Sequence, residues 1–181
     1  LTRRAVSAVE REAKTTSGRP FFLYLALNAP HTPIAPSATW RGRSGLNAYA
    51  DFVMETDAVV GRVLDALDNS GAADHTLVIF TADNGPEGYA YERVRAHGHR
   101  SMGPLRGVKR DLWEGGHRVP FLVRWPGKVK PGTTSSQLTS LTDVMATVAA
   151  IIGTKLPENA AEDSFNMLPA WLNEDTTPIR P

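Results

Sequence analysis

The 181-residue sequence contains no cysteine. Disulfides, a thiol nucleophile and thiolate metal sites are therefore excluded within these residues. The compartment stays open, because exported proteins also do without cysteine. Long apolar runs are missing as well. The two strongest, 21–27 and 144–152, fall far short of the ~20 residues a membrane-spanning helix needs. Neither sign of charge dominates: 20 Lys+Arg against 19 Asp+Glu leave a net charge of +1, which argues against a polybasic nucleic-acid binder or an acidic tail. No charged-then-apolar leader opens the chain, and no repeat or low-complexity tract interrupts it. The chain starts at Leu1, in what reads as the body of a helix, so the expectation is a piece of a longer protein. What is present, 41% hydrophobic and 22% charged residues, is the balance of a soluble globular domain.

The spacing predicts an α/β chain. Residues 3–14 read as a helix of mixed polarity, broken over Thr15–Pro20 by Ser, Gly and Pro. Phe21–Leu27 is continuously apolar and predicts a strand buried on both faces, as in parallel sheets. A proline-bounded loop, Asn28–Pro33, and an irregular stretch over 34–45 follow. From Tyr49 to Leu67 apolar residues recur at intervals of three and four, with Asp51, Glu55, Asp57, Arg62, Asp65 and Asp68 on the outer face, and Asn69-Ser70-Gly71 as the stop. Thr76–Ala82 predicts a second buried strand, completing a βαβ-like unit. Residues 86–111 read as a long polar loop, of the kind that in a compact domain is either functional or disordered. Val119–Trp125 predicts a third strand with Pro120 at its start. Leu141–Ile152 predicts an apolar helix ended by Gly153, and the last 28 residues read as loop with a short apolar stretch, Met167–Leu172.

Two groups follow predicted strands: His31 after the first, Asp83-Asn84 after the second. Parallel strands would bring both to one sheet edge, where open α/β sheets bind ligands. Asp83 and Asn84 place an anionic and a neutral oxygen donor side by side, which suits a hard cation. Asp-Asn-Gly is equally a turn sequence, and a turn can present ligands. His31 is a lone histidine in an uncharged loop, more commonly a satisfied or exposed residue than a catalytic one, but the stiff setting lowers the entropy cost of holding it. Between Leu105 and Pro120, Lys109 places a compact charge suited to an oxyanion, and Gly115-Gly116 points to close backbone approach to a ligand. A solvated charged loop is the plainer reading of that cluster taken alone.

Four stretches together carry a family resemblance: Ala29-Pro-His-Thr-Pro33; Thr81-Ala-Asp-Asn-Gly85; Gly103-Pro-Leu-Arg-Gly-Val-Lys109 with Trp113-Glu-Gly-Gly116; and Arg118-Val-Pro-Phe-Leu-Val-Arg-Trp-Pro-Gly127. In this order and spacing the chain resembles the later part of the catalytic domain of formylglycine-dependent sulfatases, in the alkaline-phosphatase-like superfamily. The likeness covers about residues 20–127, and the Leu141–Val148 helix extends it. It implies a sandwich with a mostly parallel central sheet flanked by helices. Residues 1–153 would be the later catalytic domain, and 154–181 a linker or the start of a C-terminal subdomain. It implies that Asp83 and Asn84 are half of a divalent-cation site, for Ca²⁺ or Mg²⁺, and that His31 and Lys109 contact the sulfate group or its leaving oxygen. His97 and His99 would line the substrate pocket, and Glu114 and His117 would hold the loop. A cation, a lysine and a histidine around one tetrahedral anion would stabilise the charge of sulfuryl transfer, and the histidine would protonate the departing oxygen.

One departure accompanies the match. The family's nucleophile is a formylglycine made within Cys/Ser-x-Pro-x-Arg, and this sequence has neither cysteine nor Ser-x-Pro-x-Arg. The early Asp pair and the Gly-Lys-x-His stretch of the family are absent too. The formylglycine is expected upstream of this chain, and the chain alone is expected to be inactive. The resemblance implies a parent sulfatase that attacks sulfur with the formylglycine hydrate, releases the alcohol, then loses sulfate. Its substrate would be a sulfated carbohydrate or an aryl sulfate, in a periplasmic or secreted setting by family analogy. Two alternatives stay open: a phosphate or phosphonate ester hydrolase of the same superfamily, and a non-catalytic binding module.

Overall fold

A computed structural model describes residues 1–15, 19–174 and 177–180. Thr16, Ser17 and Gly18, at the centre of the break expected over Thr15–Pro20, lie outside the described residues. The chain divides into two units, Leu1–Thr76 and Leu77–Pro181.

In the first unit, helix α1 (Thr2–Ala13) packs on helix α2 (Ala48–Asn69). Ala5 and Val9, one turn apart, are the buried residues of α1, and Val59, Ala66 and Leu67 are buried on α2. The Asn47 side chain accepts the Ala50 N–H at 2.9 Å and caps the start of α2. Gly71, at φ +72°, takes the left-handed position just past its end. A 3₁₀ turn, Ala73–His75, closes the unit. Asp51 departs from its expected place on the outer face. It is 4% exposed, and its carboxylate accepts the N–H groups of Gly42 and Ser44 at 2.7 and 2.8 Å. Periodicity assigned it to water because a charge is usually there; here two backbone donors from the irregular 34–45 stretch satisfy it instead. Glu55, one turn on, accepts the Ser37 N–H at 2.9 Å.

The expected strand at Phe21–Leu27 does not form. No strand pairs with it among the described residues, and Phe22 and Tyr24 are 83% and 81% exposed. An apolar run states a demand for burial, but a strand also needs a partner for its N–H and C=O groups, and none is supplied there.

In the second unit, strands β1 (Val78–Thr81) and β2 (Phe121–Arg124) pair antiparallel, Val78 opposite Arg124 and Thr81 opposite Phe121. The expected parallel sheet is therefore not found among the described residues. Pro120 stands immediately before β2, where its missing N–H costs no ladder bond. Ile79, Phe121 and Val123 on one face meet Met167, Ala170 and Trp171 of the last helix, α6 (Leu168–Leu172), and the segment before it; the rings of Phe121 and Trp171 lie 5.9 Å apart. Helices α3 (Ala90–His97) and α4 (Glu114–His117) lie between the strands, and α5 (Asp143–Ile151) precedes α6. The expected loop over 86–111 thus contains the two-turn helix α3, ended by Gly98 in the left-handed region.

The end of the chain is fastened to α5. Asp143, 1% exposed, accepts the N–H groups of Ser140 and Phe165 at 2.7 and 2.9 Å and pairs with Arg180. Thr147 donates to the Asp143 carbonyl at 2.7 Å and accepts the Met167 N–H at 2.9 Å. Gln137 holds Thr177 and Ile179 through its amide.

Candidate functional site

His31 belongs to the first unit. It is exposed, in a turn where its N–H donates to the Asn28 carbonyl at 3.1 Å. The Ala29–Pro30 and Thr32–Pro33 bonds on either side are cis. Its Nδ1 lies 2.8 Å from the Thr32 carbonyl oxygen and 3.3 Å from the Thr32 hydroxyl. A carbonyl only accepts, so in this contact the ring Nδ1–H donates to it. A shared sheet edge with Asp83 required a strand at 21–27, and that premise is not met.

Asp83, Asn84 and Lys109 belong to the second unit, where three loops interlock around glycines. The Gly85 N–H donates to the Gly116 carbonyl at 2.9 Å, and the Gly115 N–H to the Arg106 carbonyl at 2.8 Å. The Lys109 N–H donates to the Pro86 carbonyl at 2.7 Å. A methyl group has no room at these glycines. At Gly85 it would strike the Gly115 carbonyl, at Gly115 those of Gly107 and Arg106, and at Gly116 it would lie 2.6 Å from both the Val108 and Asp111 carbonyls. Gly107 adds a φ of +85°, a conformation that L side chains resist. The close approach that Gly115-Gly116 announced in the sequence is therefore to the chain's own backbone, not to a ligand. Its effect is to clamp the Lys109 loop onto the loop that follows Asp83-Asn84. Beneath the clamp, Ala90, Met102 and Val108 form a buried cluster.

The pair after β1 suits a hard cation in donor type. Asp83 is exposed and makes no hydrogen bond or ion pair among the described residues. Asn84 donates through its NH₂ to the Gly85 carbonyl at 2.8 Å, which directs its carbonyl oxygen to be the free donor. Two side chains are too few for the roughly six to eight oxygens that Ca²⁺ takes. No cluster of three or more acidic, His or Cys side chains fit to hold a metal occurs among the described residues. The pair fits part of a coordination shell.

Lys109 is half-buried. Its neighbour Arg110, at φ +77°, binds both carboxylate oxygens of Glu87, at 2.6 and 2.5 Å. That pairing, and then the Gly88 N–H, hold the Glu87 carboxyl below its ordinary range, while Glu87 raises Arg110. Sequence spacing does not announce this pair, whose members, 23 positions apart, are joined only by the fold. Nearby, the Arg106 guanidinium stacks 3.7 Å from the centre of the Trp113 ring. Glu114 bonds Arg118 at 3.2 Å across α4, whereas His117 is exposed at its end. His97 ends α3 and His99 follows Gly98; both are exposed.

Residues 1–154 match the model of the Sulfatase family. The N-acetylgalactosamine-6-O-sulfatase of Bacteroides thetaiotaomicron is 42% identical over 164 residues, 87% of this chain and 32% of that protein. Human arylsulfatase A is 41% identical over 160 residues, 88% of this chain and 30% of its own length. Among solved structures, one from work on glycosaminoglycan metabolism by B. thetaiotaomicron superposes with a TM-score of 0.88 at 38% identity, covering 98% of this chain and 37% of that one. Ps i-CgsB in complex with k-i-k-neocarrahexaose gives a TM-score of 0.82 at 34% identity, covering 97% of this chain and 38% of that one. The chain thus spans about a third of the length of the curated relatives it matches.

Proposed function

The chain belongs to the sulfatase family, and from that premise we propose that it forms part of a sulfuric ester hydrolase, supplying half of a divalent-cation site and the groups that grip the sulfate. The observation that carries this reading is the 2.7 Å bond from the Lys109 N–H to the Pro86 carbonyl. It ties the candidate anion-binding lysine to the loop of the candidate cation pair. A solvated charged loop has no need of such a clamp.

Lys109 donates from its ammonium to a sulfate oxygen, where charge grows as the ester bond breaks. His31, whose Nδ1–H donates to the Thr32 carbonyl, delivers a proton from Nε2 to the departing alcohol oxygen. Asp83 and Asn84 contribute oxygen donors to Ca²⁺ or Mg²⁺, which supplies positive charge to the transferring group when bound. The nucleophile is a formylglycine outside these residues, so the purified chain does not turn over. The relatives act on sulfated sugars, steroids or aryl groups by name, and the same ester chemistry is assigned here.

The test uses a protein of full family length that contains this chain, with 4-nitrophenyl sulfate as substrate. Lys109→Ala is expected to lower turnover on the order of 10²–10³-fold while changing stability by no more than about 0.5 kcal/mol. Lys109→Arg restores little, because a planar guanidinium does not fit a point-charge position. Wild-type turnover in the alanine variant would remove Lys109 from the sulfate pocket. Turnover by the isolated chain would remove the external nucleophile.

A further inference from the structure

Two consecutive rungs join the segment at Pro86 to the segment at Lys109. The first is the backbone bond from the Lys109 N–H to the Pro86 carbonyl, at 2.7 Å. The second, one residue further along each segment, is the ion pair of Glu87 and Arg110. The first rung therefore brings the Glu87 carboxylate into the neighbourhood of Lys109, the residue assigned above to the sulfate. A carboxylate is a direct competitor of a sulfate for an ammonium group, because both are oxyanions and accept from the same donors.

Arg110 occupies that competitor. Its Nη1 donates to both Glu87 oxygens, at 2.6 and 2.5 Å, and the Gly88 N–H donates to Oε1 at 2.8 Å. The charge of Lys109 acts on the same carboxylate: Arg110, then the Gly88 N–H, and after them Lys109 hold Glu87 below its ordinary range, against the opposing effect of burial. The backbone at Arg110 is unusual, with φ at +77°, a conformation that L residues seldom adopt and that persists where the surroundings impose it. Stability is a weak reason for the pair, since its side chains are 69% and 34% exposed and exposed ion pairs contribute little. The other carboxylates of the clamp are engaged elsewhere. Asp111 accepts the Val108 N–H at 3.0 Å, Glu114 pairs with Arg118 at 3.2 Å, and Asp83 is assigned to the cation. Glu87 is the carboxylate beside Lys109 that needs a counter-charge, and Arg110 supplies it.

We propose that Arg110 is a positioning residue for the reaction: by engaging Glu87 it keeps that carboxylate from competing with the sulfate group for the Lys109 ammonium. This inference rests on the sulfatase reading and extends it to a residue that touches neither sulfate nor cation. Without Arg110, Glu87 turns to the next cation in the loop, Lys109, and the anion must displace it. The charge at position 110 matters more than the guanidinium fork, because a single nitrogen serves both Glu87 oxygens; an ammonium can do the same.

The test is steady-state hydrolysis of 4-nitrophenyl sulfate at low salt, where charge effects are least screened, by a protein of full family length that contains this chain. Arg110→Ala is expected to lower kcat/KM on the order of tenfold, and Arg110→Lys to keep it within about twofold of wild type. Glu87→Gln removes the competitor. Alone it is expected to leave kcat/KM near wild type, and combined with Arg110→Ala to restore it. In a Lys109→Ala background, Arg110→Ala is expected to cost nothing further, because residues that act through one group are not additive. Wild-type kcat/KM in Arg110→Ala overturns the role of Arg110. So does a double variant as slow as Arg110→Ala, which would mean that Arg110 acts on the substrate or the loop directly. Glu87→Gln as slow as Arg110→Ala, or an undiminished further loss in the Lys109→Ala background, overturns it as well. Wild-type turnover in Lys109→Ala alone overturns the sulfatase reading instead.

Discussion

The turn that carries His31 and the loop that carries Lys109 are fixed in different ways. His31 bonds to Asn28 and Thr32, within its own turn, and its ring stands exposed. Lys109 is held through its backbone by Pro86, in a clamp where Gly85, Gly107, Gly115 and Gly116 leave no space for a side-chain carbon. A local turn can be altered without consequence beyond itself. A clamp made of distant segments transmits any change at one member to all of them. Within the second unit the backbone clamp thus joins the proposed cation pair to the proposed anion-binding lysine, whereas the proposed proton donor is held by its own turn alone.

The sharpest way to break this contrast is Gly115→Ala. The added methyl would meet the Arg106 and Gly107 carbonyls, and the Gly115 N–H bond to Arg106 would open. Overpacking of this kind costs about 3 kcal/mol, read from denaturant unfolding, with faster hydrogen exchange at the Gly85 and Lys109 amides. A variant as stable as wild type, with both amides still protected, would mean that the clamp yields and does not position Lys109. His31→Ala is the opposite case, with an expected change in stability within about 0.5 kcal/mol. In a full-length protein it is expected to slow hydrolysis of a sugar sulfate more than that of 4-nitrophenyl sulfate, whose leaving group departs without a proton. Equal slowing of both substrates would take the proton donor's role from His31.

The sequence made the longer helices legible because their signal is local, while α3, α4 and α6, of eight, four and five residues, passed as loop. Apolar content and spacing placed α2 and α5, the breakers after a mixed-polarity stretch placed α1, and Gly71 ends α2 as expected, whereas its Asn47 cap went unread. Strand direction was not legible, because a short apolar run reads the same in a parallel, antiparallel or unpaired segment. So 78–81 and 121–124 were found as strands, yet their antiparallel pairing was not, and 21–27 was assigned a ladder it does not make. The glycines at 115 and 116 signalled close approach correctly, but what approaches is backbone from Arg106 to Asp111, which only the fold brings there. Asp51 failed for the same reason: its donors, Gly42 and Ser44, sit in a stretch without periodicity. The candidate site residues were singled out by type and motif, and the Glu87–Arg110 pair near Lys109 by neither.

The smallest effect expected is one of pH, and it separates the two units by how each holds a carboxylate. In the first, hydrogen bonds from Ser44 and then the Gly42 N–H hold Asp51 below its ordinary 3.8. In the second, Arg110 and the Gly88 N–H hold Glu87 below its ordinary 4.5. A carboxyl lowered in the folded state gives its full stabilisation above the unfolded value, and loses it as pH falls through the folded value, because the unfolded chain takes up the proton first. Both units should therefore weaken only on the acid side. Salt distinguishes them. Asp51 is buried and bonded to neutral donors, so ions do not reach it, whereas the Glu87–Arg110 pair is open to solvent, and about 1 M salt shortens the screening length to ~3 Å. Stability followed from about pH 6 to about pH 3 should show the acid loss flattened by Asp51→Asn at either salt concentration. Glu87→Gln should flatten it at low salt alone. A salt-sensitive response at Asp51 would mean that its bonds to the 42–44 backbone are open to water, and that the first unit is tied together no more firmly than the exposed ion pair beside Lys109.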